Sequence, residues 1–332
     1  MIHANGLART FRTRGGPVEA VRGVDIDVAP GELVGFLGPN GAGKTTTLRM
    51  LTTLLTPTAG TATVTGVDLL REPVEVRRRI GYVGQNGGAS PDVPVLEELV
   101  VHGRLYGLSA AEARRRGGTL LDQLNLGDTG SRLVGTLSGG QKRRLDIAMG
   151  LIHAPRLIFL DEPSTGLDPQ GRANLWTHVR GLRDEHGTTV FLTTHYLDEA
   201  DALCDRVLVI DGGKIIAQGT PEELKSRISG DQVTFTVDPA QTAAAARLAA
   251  AISQATELVT DTGTIRMRVP RGATAMPTLL RELDHQGVTA LSIEVHRPTL
   301  DDVFLTLTGR SLRDAEETSA SSPTPDLAGA RS

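Results

Sequence analysis

Cysteine is almost missing from this chain: Cys204 is the single one among 332 residues. One thiol excludes an intrachain disulfide and suits a reducing compartment. Its neighbours Ala202, Leu203 and Val207 point to a buried structural thiol. Long apolar runs are missing too. No stretch approaches the roughly 20 residues that span a bilayer, so a membrane role must run through a partner. Met1-Ile2-His3-Ala4-Asn5 lacks the charged-then-apolar order of an export signal, and a cytoplasmic location is expected. Excess positive charge is also absent. The net charge of -4 gives no general electrostatic reason to expect nucleic acid as a partner. Only four of the 35 basic residues are lysine (Lys44, Lys142, Lys214, Lys225), and none follows an asparagine, so the guanine-reading Asn-Lys-x-Asp of GTPases does not occur.

What is present is ordinary for a globular protein, with 39% hydrophobic and 22% charged residues in a chain long enough for two domains. Within it, Gly38-Pro39-Asn40-Gly41-Ala42-Gly43-Lys44-Thr45 fits the phosphate-loop pattern G-x-x-x-x-G-K-[ST] at every fixed position. The continuous apolar run Leu33–Leu37 before it predicts a parallel strand buried on both faces. Leu48, Leu51 and Leu55 after it predict a helix closed by Pro57. Backbone N–H groups of Gly41 to Thr45 would cradle the β- and γ-phosphates at that helix N-terminus. Glycines at 38, 41 and 43 let the backbone wrap, Lys44 supplies a point charge, and the Thr45 hydroxyl suits Mg²⁺.

Three further apolar strands are expected, and each ends in polar residues. Ile80–Val83 leads to Gln85, Leu157–Leu160 to Asp161-Glu162, and Thr188–Thr193 to His195. Open α/β sheets bind their ligands at such carboxyl ends. Asp161 is assigned to the metal and Glu162 to polarising the attacking water. His195 is placed at the γ-phosphate, Gln85 at the metal or water, and Phe11 as an aromatic that could stack on a base. Alternation over Val24–Val28 predicts one more strand with a wet face. Ser138-Gly139-Gly140, ahead of an amphipathic helix at Arg144–Ile152, forms a second candidate anion nest. A single pocket would be overfull with both nests. Two copies arranged head to tail, each lending its nest to the other's nucleotide, resolve the excess and predict a dimer.

After Leu224 the pattern changes. Strands at Gln232–Val237, Ile265–Val269 and Ala290–Val295 with helices at Ala243–Ile252 and Met276–Leu283 predict a small α+β unit. From Ser311 the composition of Ser, Thr, Pro, Ala and charge predicts a disordered tail.

From about residue 3 to 225 the chain resembles the nucleotide-binding subunits of ABC transporters. In that likeness Walker A corresponds to Gly38–Thr46, with Lys44, Thr45 and Thr46 in it, and the glutamine loop to Gln85. The signature corresponds to Leu137-Ser138-Gly139-Gly140-Gln141, and Walker B to Leu157–Asp161 followed by catalytic Glu162. The D-loop corresponds to Thr165–Asp168 and the switch histidine to His195. The resemblance implies a P-loop NTPase fold of the ABC ATPase type, α/β with a mixed sheet core. It implies an ATPase domain over 1–228, a helical subdomain at about 86–150, and a C-terminal α+β domain over 229–310. It also implies ATP and Mg²⁺ as ligands, a homodimer in which Ser138, Gly140 and Gln141 act on the partner's ATP, a separate integral membrane permease, and a peripheral place for this chain at the cytoplasmic face of the membrane. Pro298-Thr299-Leu300-Asp301-Asp302-Val303-Phe304 and Leu307-Thr308-Gly309-Arg310 are similar to the C-terminal module of the daunorubicin/doxorubicin-resistance type, which implies drug export. Phe11 stands where that family commonly has Tyr, and Asn86–Ser90 is richer in glycine than the family needs. A soluble ABC ATPase acting on ribosomes or DNA is the alternative. Such proteins usually carry two cassettes or long helical arms, whereas this chain has one signature.

Overall fold

The computed structural model describes residues 1–228, 230–251 and 255–311; the tail expected to be disordered lies, beyond Ser311, outside the described residues. The chain divides into two compact units, Met1–Pro221 and Glu222–Ser311. The first unit opens with a hairpin of β1 (Ile2–Thr13) and β2 (Gly16–Val28), paired from Ile2↔Val28 to Thr13↔Gly16. Three register shifts interrupt it. They break the period of two, which is why alternation revealed only its Val24–Val28 end.

β3 (Leu33–Leu37) is buried at every residue and leads through the phosphate loop into α1 (Lys44–Leu51). This helix is shorter than the sequence suggests. Leu48 and Leu51 are buried in the core, but Leu55 lies past the helix end. Thr53 turns left-handed at φ 62°, and the amides of Leu54 and Leu55 donate back to the Arg49 carbonyl at 2.9 and 3.0 Å. That cap stops the helix before Pro57 can.

β4 (Ala59–Val64) and β5 (Val67–Asp68) complete a four-stranded antiparallel sheet in the order β2-β1-β4-β5. α2 (Pro73–Arg79) then delivers β6 (Ile80–Val83). A helical region follows, built from α3 (Val95–Leu105), α4 (Ala110–Gln123) and α5 (Gly139–Leu151), which pack on one another. β7 (Leu157–Asp161), α6 (Pro169–Asp184), β8 (Thr189–Thr194), α7 (Leu197–Leu203), β9 (Arg206–Asp211) and β10 (Lys214–Gly219) finish the unit.

The second sheet runs β10-β9-β3-β8-β7-β6, parallel throughout except for β10 at its edge. One core joins Ile26 and Val64 of the antiparallel sheet to Leu48 of α1 and to Phe36, Phe159 and Phe191 of the parallel sheet. The Cys204 thiol is buried as expected and takes the space where a Gly35 side chain would begin, 2.6 Å from an ideal Cβ there. Registers of Leu37↔Thr194 and Asp161↔Thr193 bring the carboxyl ends of β3, β8 and β7 level. Loops carrying residues far apart in sequence therefore meet at one edge.

The second unit begins within α8 (Pro221–Ser226) and contains β11 (Asp231–Val237), α9 (Thr242–Ala251), β12 (Thr256–Asp261), β13 (Thr264–Val269), α10 (Gly272–His285), β14 (Ala290–His296) and α11 (Leu300–Thr308). Its antiparallel sheet has the order β12-β13-β11-β14, two interlocked split βαβ motifs of the ferredoxin-like kind. Val233 and Phe235 of β11, Ile265 and Met267 of β13, and Leu279 and Leu283 of α10 fill its core. β12 was not foreseen, because all six of its residues are exposed and no face alternates. α10 starts earlier than Met276, with Pro277 inside it. The Thr299–Phe304 run proves to be a helix start: Thr299 and Asp302 form a capping box, and Leu300, Val303 and Phe304 are buried.

Candidate nucleotide site

The phosphate loop is shaped by close backbone approaches. Gly43 holds φ 105°, and a Cβ there would meet the Ala20 carbonyl at 2.6 Å. At Gly38 it would meet the Ile210 carbonyl at 2.3 Å. Gly38 N–H donates to the Thr194 carbonyl at 3.3 Å and Gly213 N–H to that of Ala42 at 3.0 Å, pinning the loop to β8 and to the β9–β10 turn. Pro39 and Ala42 are buried, whereas Asn40 and Gly41 are exposed and Thr46 is half-buried on the first turn of α1.

Lys44 is 4% exposed and donates through Nζ to the carbonyls of Gly38 at 2.7 Å and Pro39 at 3.2 Å. Its ammonium also lies 3.3 Å from Glu162 Oε1. Thr45 Oγ1 donates to Asp161 Oδ1 at 3.1 Å, and Thr193 Oγ1 donates to the same oxygen at 2.7 Å. Asp161 Oδ2 is buried and has no hydrogen-bond partner among the described residues. An orphaned carboxylate oxygen beside a threonine hydroxyl suits a hydrated cation. No group of three or more His, Cys, Asp or Glu side chains among the described residues is placed to hold a metal without such help.

Glu162 follows the last residue of β7 and leaves the strand with φ 46°, a conformation costly for a residue with a side chain. Its N–H donates to the hydroxyl and carbonyl oxygens of Thr193 at 3.0 and 3.2 Å. The turned backbone sends the carboxylate into a cluster. Gln85 Nε2 and Thr165 Oγ1 each donate to Oε2 at 3.3 Å, and His195 Nδ1 stands 3.4 Å from the same atom. Burial pushes the Glu162 pKa up, but His195 and then Lys44 outweigh it and hold the pKa down at about 2. The group is thus an ionised carboxylate throughout the neutral range.

Six of the residues expected at the site therefore meet here: Lys44, Thr45, Gln85, Asp161, Glu162 and His195. Phe11 sits on β1 opposite Val18, two residues before the Ala20 whose carbonyl faces Gly43, and the Arg9 guanidinium lies 4.8 Å from its ring centre.

Ser138-Gly139-Gly140-Gln141 begins α5. The Ser138 hydroxyl accepts from Gln141 N–H at 3.3 Å, and the Gln141 side chain accepts from Ser138 N–H at 3.0 Å, closing a capping box. A cavity of about 480 Å³ beside them is lined from α6 and from Gly166, Leu167 and Asp168, with no residue of Gly38–Thr46 among its lining. A Cβ added at Gly139 or Gly140 would meet nothing within 4 Å, and neither has a positive φ.

Two contributors escaped the sequence reading. Thr193 bridges Asp161 and Glu162, and its only signal was a Thr-Thr pair ending an apolar strand. Arg143 on α5 is buried and donates to the carbonyls of Pro163, Gly84 and Asp161 at 2.8, 2.6 and 3.0 Å. In the run Lys142-Arg143-Arg144 it reads as one more surface cation, and nothing local distinguishes it.

Known proteins resemble this chain over most of its length. Residues 21–165 match the ABC transporter family, and residues 219–308 match the C-terminal domain of DrrA1-3-like ATP-binding proteins. The chain is 45% identical over 303 residues to the daunorubicin resistance ATP-binding protein DrrA3 of Streptomyces coeruleorubidus, covering 91% of this chain and 95% of the relative. It is 44% identical over 315 residues to the daunorubicin/doxorubicin resistance ATP-binding protein DrrA of Streptomyces peucetius, covering 94% of each. Among solved structures, a dimeric post-hydrolysis state of the ATP-binding cassette MJ0796 bound to ADP and Pi superposes with a TM-score of 0.61 at 26% identity, covering 66% of this chain and 98% of that one. Phosphate loop, paired carboxylates, signature helix and C-terminal unit thus lead to one family: the chain is an ATP-binding, ATP-hydrolysing member of the ABC transporters, of the DrrA-like type.

Proposed function

We propose that this chain is the ATPase subunit of a two-component ABC exporter, in which two copies enclose two MgATP and drive a separate membrane permease. The signature nest carries the reading. Gly139 and Gly140 are bare for no reason inside their own chain, and the adjoining cavity includes no phosphate-loop residue. Space left free on both counts suits an incoming phosphate held by a second copy.

In this reading the triphosphate lies along the N–H groups of Gly41 to Thr45, with Phe11 at the base and Thr46 on the α-phosphate side. Its charge competes with Glu162 for the Lys44 ammonium, and Glu162 is then released to orient the attacking water. His195, whose Nδ1 lies 3.4 Å from Glu162 Oε2, is assigned to the γ-phosphate. Ser138, Gly139, Gly140 and Gln141 of the partner close over the same phosphate. Asp161, Thr45 and Gln85 would hold Mg²⁺, which neutralises charge on the phosphates when bound. The unpartnered Asp161 oxygen supports that assignment.

No helix among the described residues is long and apolar enough to cross a membrane, so the pathway is assigned to the permease and this chain to its cytoplasmic face. Exposed Val101 and Leu105 on α3 offer an apolar contact for it. Relatives named for daunorubicin resistance support a drug-like or hydrophobic cargo. The unit from Glu222 to Ser311 is assigned to the dimer or permease contact rather than to catalysis.

Glu162→Gln tests the proposal. ATP turnover is expected to fall by about 100-fold or more, and a dimer holding two nucleotides should accumulate in size-exclusion chromatography with MgATP. A variant that stays monomeric with bound ATP and hydrolyses at the parental rate removes both the dimer and the role of Glu162.

A further inference from the structure

Glu199 on α7 is fully buried, and the site described above gives it no part. An acid at that depth is costly unless donors surround it. Burial does raise its pKa, and hydrogen bonds from Thr194, Ser164 and Trp176 oppose the rise. Ser164 Oγ donates to Oε2 at 2.9 Å, and Trp176 Nε1 donates to Oε1 at 3.2 Å.

The three donors come from three different segments of the site. Ser164 stands two residues after Glu162. Trp176 belongs to α6, whose N-cap is Asp168, the last residue of the loop that leaves Glu162. Thr194 lies between Thr193, which holds the Glu162 amide, and His195. One carboxylate therefore fastens both flanks of the 3.4 Å contact between Glu162 and His195.

That fastening answers a need. Glu162 sits at φ 46°, and an unfavourable backbone persists only where its surroundings over-determine it. Thr193 holds its amide, and Arg143 holds the carbonyl of the next residue, Pro163. Ser164, the residue after that, has Glu199.

We propose that Glu199 is a positioning residue for ATP hydrolysis, fixing Ser164 and Thr194 so that Glu162 and His195 address the same reacting atoms. It rests on the reading of Glu162 and His195 as the hydrolytic pair. The partners of Glu199 are Ser164, Trp176 and Thr194, and it is not among the side chains gathered on the Glu162 carboxylate. Its contribution is geometric and does not need its charge. Glutamine at 199 can accept from Trp176 through its amide oxygen and donate to a reversed Ser164 hydroxyl.

The test is ATP hydrolysis by the full chain carrying Glu199→Ala, Glu199→Gln, Ser164→Ala or both alanines, with melting temperature followed in parallel. Glu199→Ala should lower kcat about tenfold or more and leave KM within about twofold. Glu199→Gln should return kcat to within about threefold of the parent. The double alanine should lose no more than Glu199→Ala alone, because both remove the same contact.

A folded Glu199→Ala with parental kcat overturns the proposal. So does a loss that glutamine does not relieve, a KM that rises as kcat falls, or kcat losses that multiply in the double variant. If Glu199→Ala does not fold, Ser164→Ala decides by the same split between kcat and KM. Failure of the underlying pair would appear differently, as parental turnover in Glu162→Gln.

Discussion

Two kinds of glycine belong to the proposed nucleotide site, and they differ in what excludes a side chain. Gly43 is constrained from within, by φ 105° and by the Ala20 carbonyl 2.6 Å from where a Cβ would stand. Gly139 has neither constraint. Gly43→Ala should therefore cost about 1–3 kcal/mol in chemical denaturation, with ATP affinity falling more than about tenfold as the loop shifts. Gly139→Ala should stay within about 0.5 kcal/mol of the parent and still impair ATP-driven dimer formation. Equal stability losses in the two variants would contradict the distinction. Both residues were visible as motif members in the sequence. Which of them obeys its own chain and which leaves room for another molecule was not, because that depends on neighbours such as Ala20 folded against the loop.

Elements show how far periodicity reads and where caps override it. β3 and the Leu157–Leu160 run of β7 were legible because both faces are covered and any other pattern would expose them. Helix α1 was overextended to Leu55 because a left-handed Thr53 carries no strong sequence signal. The helical region also holds an acid-sensitive joint. His153, just after α5, stacks on Tyr106, just after α3, with ring centres 3.8 Å apart, and the His153 Nε2 lies 2.9 Å from the Ile80 carbonyl. Burial, aided by His102 and Arg116 and opposed by the Ile80 carbonyl, pulls the His153 pKa down to about 4. The folded chain thus keeps the ring neutral where an unfolded one, titrating near 6.5, already takes up a proton. The unfolded state binds more protons in that window, so stability falls as pH drops from about 6.5 to about 4. His153→Gln should flatten that part of a melting temperature against pH curve. An unchanged slope between pH 7 and 4.5 would assign the acid sensitivity elsewhere.

At the scale of the whole molecule, separate cores behind Met1–Pro221 and Glu222–Ser311 predict two unfolding events. Every residue assigned to ATP in the proposed reading belongs to the first unit. At 100 times its dissociation constant ATP should stabilise that unit by about 2.7 kcal/mol and leave the second where it is. Calorimetry of the full chain, with and without MgATP, reads this directly. Two transitions moving together would show that the units unfold as one and that the second is not an accessory to the first.

Sequence alone determined the parts of this protein whose chemistry is local. Successive N–H groups in a glycine-rich run form an anion nest, so Gly38–Thr45 and Ser138–Gln141 stand out as candidate phosphate-binding runs wherever they are read. Tertiary structure decided the cluster around Asp161 and Glu162. Gln85 reaches Glu162 across 77 positions, Thr193 reaches Asp161 across 32, and Ser164 reaches Glu199 across 35. The first two are set by the order β8-β7-β6 and the level ends of those strands, and the third by α7 following β8. A threonine, an arginine and a glutamate thereby acquire roles that their sequence neighbours do not betray, because the partners they satisfy are supplied by other strands and helices.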